Sequence, residues 1–157
     1  MEIVLLDPPG LIPRWPQGLP HWPYAQAVDE ALTRRGIPPG TVRADHTGRE
    51  RGERMYMVLA WDVSRTAGLG GIRLHWHEET GWAYALIGPG ARAIGPPRHV
   101  DALHHAFATP EDIAEVADRL VRVWRRPQGE YSAEWDSAAQ TRAAIKAFRV
   151  LRRHTVG

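Results

Sequence analysis

Residues Arg54 to Gly88 constrain the fold more than any other stretch. They read RMYMVLAWDVSRTAGLGGIRLHWHEETGWAYALIG. From Ile72 to Glu78 apolar residues alternate with polar ones. Ile72, Leu74 and Trp76 face one way, and Arg73, His75 and His77 the other. That period of two marks a half-buried strand. Glu79-Thr80-Gly81 reads as a three-residue hairpin loop, with Gly81 where a left-handed residue is wanted. This places Glu78 opposite Trp82, Trp76 opposite Tyr84 and Leu74 opposite Leu86. One face is then Ile72, Leu74, Trp76, Trp82, Tyr84 and Leu86, and a one-residue slip would mix it with the polar set. The preceding strand, Met55 to Val63, is apolar on both sides, so it is expected to be central and covered on both faces. The glycines of Ala67 to Gly71 are turn residues. They do not spell a phosphate-binding loop, and a strand follows them instead of a helix.

The rest of the chain supplies helices and arms to this sheet. A chain of 157 residues is one domain of ordinary size. Residues 1–22 are an extended Pro- and Trp-rich arm, beginning with the apolar run Ile3-Val4-Leu5-Leu6. Residues 23–107 form the α+β core, and 109–154 a C-terminal helical part. Pro23 to Arg35 is an amphipathic helix closed by Gly36, and Thr41 to His46 a short strand pairing with the one that starts at Arg54. Thr47 to Glu53 reads as a charged, solvated loop, and Arg98 to Phe107 as a short helical piece. Thr109 caps a helix with Pro110 at its first position and Glu111 and Asp112 at its positive end. Pro127-Gln128-Gly129 ends that helix, and Ser132 is expected to cap the last one. The fold class is therefore α+β: a three- to four-stranded antiparallel sheet flanked by helices, with the first helix on one face and two C-terminal helices on the other or alongside.

Composition excludes several classes. Hydrophobic residues make up 43% and charged residues 24%, as in ordinary globular proteins. No apolar run approaches a membrane span, and the N-terminus lacks the pattern of a signal peptide, so a cytoplasmic location without membrane contact is expected. The absence of cysteine excludes disulfides and thiolate metal sites. A net charge of +2 is mild for a nucleic-acid binder. There is no nucleophile elbow, P-loop or paired-carboxylate signature, so no catalytic residue and no cofactor is assigned.

Several motifs together resemble a small family of uncharacterised actinobacterial α+β domains. They are a first helix like Tyr24 to Leu32, a strand like Met57-Val58-Leu59-Ala60, and a strand-turn-strand like Leu74-His75-Trp76-His77-Glu78 with Gly81-Trp82-Ala83-Tyr84-Ala85. A Pro-Pro-x-x-Val segment, Pro96 to Val100, closes the pattern. The match covers about residues 22–107. It implies the fold and no activity, cofactor or catalytic residue.

Three groups of residues are candidates for function. His75 and His77 project from one strand beside Arg73, where they could flank an anion or share a metal. A metal needs further ligands: Glu78 points to the opposite face, and His99, His104 and His105 lie in the following segment. Arg142, Lys146, Arg149 and Arg153 recur at helical spacing and form a basic face for an acidic protein or for phosphates. Trp15 and Trp22, punctuated by prolines, either clip the arm to its own domain or engage a partner. Asp62, at the end of a strand, is read as pairing with a turn amide or an arginine. These features point first to a non-enzymatic binding or regulatory module with a protein partner or a second copy of itself. Nucleic-acid association through the basic helices is the alternative, and a small enzyme or ligand- or metal-binding protein using the His75/His77 face is the third reading.

Overall fold

The computed structural model describes residues 18–66, 70–88, 90 and 92–155, with side chains up to Arg152. Helix α1 spans Trp22–Arg34, and strands β1 Thr41–His46, β2 Met55–Trp61, β3 Gly71–His77, β4 Gly81–Ile87 and β5 Arg98–His99 follow. Helix α2 runs over Pro110–Asp118 and continues as a π-helical turn over Arg119–Val123, and α3 covers Ala138–Thr155. The strands form one five-stranded antiparallel sheet in the order β1-β2-β3-β4-β5. The fold is α+β, as the strand patterning predicts.

The expected apolar face is the core face. Met55, Met57, Leu59, Trp61, Ile72, Leu74, Trp76, Trp82 and Tyr84 are all buried on it. The hairpin register differs from expectation by two residues. Trp76 lies opposite Trp82, Leu74 opposite Tyr84, and Ile72 opposite Leu86. A shift of two leaves every side chain on its predicted face. The cause is Glu78, which leaves the ladder to serve β2. Its backbone N–H donates to Met55 O (3.0 Å) and its carboxylate accepts from Met55 N–H (2.7 Å). The loop is then Glu78 to Thr80, and Gly81 still has the left-handed φ of 81°.

The helices lie on one face only, which corrects the expectation that β2 is covered on both. Tyr56, Val58 and Ala60 are half-buried instead. The segment expected as a helix over 98–107 carries β5 and turns. Val100 N–H donates to Trp82 O and extends the pairing begun by Arg98 and His99. Ser132 does not start the last helix. Residues 131–135 run extended across the domain, with Tyr131 N–H bonded to Ala102 O (2.7 Å) and Trp135 N–H to Phe107 O (2.7 Å). Thr109 caps α2 as expected, its hydroxyl accepting from Asp112 N–H at 3.2 Å.

Aromatic residues knit the layers together. Tyr24 of α1 is fully buried, and its ring centroid lies 5.5 Å from Trp76, 6.2 Å from Trp82, 5.0 Å from Phe107 and 4.8 Å from Trp135. Its hydroxyl donates to Ala108 O (2.6 Å) and accepts from Trp82 Nε1 (3.3 Å). Burial holds this phenol above its ordinary pKa. Two further indoles of the core find partners: Trp61 Nε1 donates to Ile37 O and Trp76 Nε1 to Ala106 O.

His21, just ahead of α1, is a second pin. Its ring stacks on Trp76 at 5.7 Å, and Nε2 lies 2.9 Å from Tyr56 O. A carbonyl only accepts, so the neutral ring carries its proton on Nε2. Nδ1 is buried without a partner among the described residues, and burial pushes the pKa down to about 4 from 6.5. The folded state therefore favours neutral His21. That stability is complete above pH 6.5 and is lost as the pH falls toward 4. The expected loss by pH 5 is about 2 kcal/mol. Urea denaturation at about pH 7.5 and about pH 5, on either side of the ordinary histidine pKa, should show it. His21→Gln, which keeps an N–H for Tyr56 O, should flatten that part of the profile.

Candidate functional site

The face of the sheet opposite the helices is the surface that the topology leaves uncovered among the described residues. Its cross-strand rows follow from the register. One row is Thr41, Ala60, Arg73 and Ala85; the next is Arg43, Val58, His75, Ala83 and His99; a third is Asp45, Tyr56, His77 and Gly81. Tyr56, Val58, Ala60, His75 and Ala83 are each half-buried. A shallow groove of about 290 Å³ runs between Tyr56, Val58, His75, His77, Thr80 and Ala83.

The two predicted histidines share this face with Arg73. His75 is held below the ordinary histidine pKa, first by burial and then by the Arg73 cation. It is therefore neutral at neutral pH. His77 serves the hairpin, its Nδ1 accepting from Glu79 N–H at 3.2 Å. His99 lies in the same row as His75 with Ala83 between them. His104 and His105 lie elsewhere, 3.8 Å from Glu130 and 3.8 Å from Glu134 respectively. No group of three or more His, Cys, Asp or Glu placed to hold a metal occurs among the described residues.

The basic helix is engaged with its own domain. Arg142 pairs with Glu134 and lies over the Phe107 ring at 5.1 Å. Arg149 donates to both carboxylate oxygens of Glu78, at 2.6 and 3.1 Å, and to Glu53 O at 3.2 Å. Arg152 pairs with Glu53 and lies 5.6 Å over Phe148. Lys146 is exposed, and the Arg153 side chain lies outside the described residues. Glu53 corrects the reading of residues 47–53 as wholly solvated: it is 5% exposed, with a left-handed φ of 51°. Its alternation with Arg49 and Arg51 in sequence hides a carboxylate aimed inward. The partner arginine holds Glu53 and Glu134 below the ordinary carboxylate pKa, by hydrogen bonding above all.

Trp22 is buried at the start of α1 and belongs to the core. Trp15 lies outside the described residues. Asp62 does what strand-end acids commonly do. It caps the short turn Val63–Arg65, accepting from Ser64 N–H at 3.0 Å and Ser64 Oγ–H at 2.5 Å. No helix among the described residues is long and apolar enough to cross a membrane. In comparison with known proteins, no family model, no curated protein and no solved structure gives a significant match.

The pairing of Arg149 with Glu78 makes a sharp expectation. Both side chains are mostly buried, 19% and 10% exposed. Arg149→Ala leaves Glu78 without its counter-ion and should cost about 3 kcal/mol in chemical denaturation. Lys146→Ala on the exposed side of the same helix should stay within about 0.5 kcal/mol.

Proposed function

We propose that the chain is a non-enzymatic binding module that acts through protein–protein contact, with the open sheet face as its contact surface. One observation carries this reading. Tyr56, Val58, Ala60 and Ala83 form a half-buried apolar patch on a face that no described helix covers. A solvated face of an antiparallel sheet alternates to polar residues, and this one does so only in part. Partly exposed aromatic and aliphatic groups ringed by Arg43, Arg73 and Asp45 have the composition of an interface centre with a charged rim.

The nucleic-acid reading has less support. The arginines that suggested it already hold Glu134, Glu78 and Glu53. An enzyme using His75 and His77 would need a third group directly beside them, and their immediate ladder neighbours are Val58, Ala83, Tyr56 and Gly81. Trp15 and the arm before Gly18 belong to the same proposal as a second contact with the partner. So does membership of the actinobacterial α+β family that residues 22–107 resemble.

The test is comparative capture from cells that make the protein. Val58→Lys with Ala83→Lys places two charges on either side of His75, and their long stems suit half-buried strand positions. A partner retained by the natural chain should be reduced about tenfold or more by the double variant, which should keep its fold by circular dichroism. If the two variants recover the same proteins, the open face is not the contact. If light scattering shows a dimer that the double variant dissociates, the partner is a second copy.

A further inference from the structure

At one end of the open face lies a larger cleft of about 740 Å³. We propose that it binds a small apolar carboxylate. The inference shares Ala60 and Arg73 with the protein-contact reading, but it is tested by small-molecule titration and not by capture of a partner, so either can fail alone.

The cleft is lined by Thr41, Ala60, Val63 and Ile87, together with Arg65 and Arg73. Its volume is that of a small-molecule site. Arg73 is the feature that calls for a ligand. Its side chain is half-buried, yet no side-chain hydrogen bond or ion pair joins it to a described residue. Its ladder neighbours are Ala60 and Ala85, which offer no acceptor from their side chains. A planar guanidinium in that setting is matched by a carboxylate, which takes two parallel N–H bonds from it. Arg65 stands on the other wall and spends Nη1 on Pro38 O at 3.2 Å.

The remaining charge in the lining offsets Arg65 in part and does not reach Arg73. Asp62 is the lining carboxylate, and its Oδ1 accepts both bonds from Ser64. Those bonds hold its pKa below the usual carboxylate value, so it remains an anion turned to its own turn. The walls are apolar or bare backbone. Val63 at the rim is 52% exposed, an aliphatic side chain left in water at the mouth. Glycine keeps one wall low for a packing reason. A Cβ at Gly70 would stand 2.5 Å from Ile87 O, and one at Gly71 2.8 Å from Trp61 O. Two cations above aliphatic walls favour a ligand with one anionic end and an apolar body. They disfavour cations outright, and they give a small inorganic anion nothing for the walls.

Titration of the full chain, followed by amide nitrogen–proton NMR, tests this with sodium phenylacetate and sodium octanoate as probes. Saturable shifts are expected at Ala60, Gly71, Arg73 and Ile87, with dissociation constants of about 1 mM or tighter. Phenylacetamide, which lacks the charge, and sodium sulfate, which lacks the apolar body, should each bind about tenfold more weakly. Arg73→Gln should weaken the carboxylates about tenfold, and Arg65→Gln by less. Arg73→Lys keeps the charge without the fork and should fall between the natural chain and Arg73→Gln, which guards against a glutamine variant that does not fold. No saturable shift by about 20 mM would overturn the proposal. So would full affinity in Arg73→Gln. Sulfate binding as well as the carboxylates would show a bare cationic patch and overturn it too.

Discussion

The structure depends first on Tyr24. Its ring is the point where α1, the sheet and the extended segment before α3 meet, through Trp76, Trp82, Phe107 and Trp135. Its hydroxyl reaches Ala108 O, 84 positions along the chain, and takes the indole proton of Trp82. Stacked and edge-on aromatic pairs add about 1 kcal/mol each beyond the area they bury. Here they also fix orientation, because the polar tips of Tyr24, Trp76 and Trp82 are each hydrogen-bonded. His21 extends the same cluster to the far end of the sheet by stacking on Trp76 and binding Tyr56 O. With the helices committed to this aromatic layer, no described helix is left for the other face.

The last helix is attached by a different kind of force. Ala138, Thr141 and Ile145 are its buried residues, a thin stripe for eighteen positions. Arg142, Arg149 and Arg152 each hold a carboxylate of the body, from Glu134, Glu78 and Glu53. Such pairs repay little more than their desolvation, so their net contribution to stability is small next to the apolar contacts. Their effect is to set register. Three forks spaced over ten residues of helix, about 15 Å, accept one rotation and one height. Glu78 has to leave the β3–β4 ladder to take its place in this set, which links the hairpin register to the seat of α3.

The sequence made the sheet legible because its signal is local. Alternation from Ile72 to Trp76 and from Trp82 to Leu86 assigns faces without any knowledge of neighbours, and Gly81 marks the turn. The same holds for Thr109 and Pro110 at the start of α2. What depended on distant partners was not legible. Glu53 and Glu78 look like surface acids until the arginines of α3 arrive from 96 and 71 positions away. The basic face of α3 looked like a surface for a partner because its carboxylates were out of sight. Residues 131–135 look helical by composition, and their backbone bonds to Ala102 and Phe107 hold them extended. The apolar alternate residues of β2 were read as covered, since burial on one side and on two look alike in a short strand.

The open face is the consequence of that one-sided economy, and its two ends are chemically unlike. Around Tyr56, Val58 and Ala83 it is apolar and uncharged, with His75 held neutral by burial and by Arg73. At the other end Arg73 itself is a cation without a counter-ion among the described residues. Arg73 and His75 lie two positions apart on β3, so they share a face and are close enough to feel each other. An anion bound at Arg73 therefore cancels the charge that helps to keep His75 neutral, leaving burial as the opposing force. A macromolecule covering the centre of the face adds to that burial and pushes His75 the other way. The two proposed uses of this face meet at one imidazole, with opposite signs.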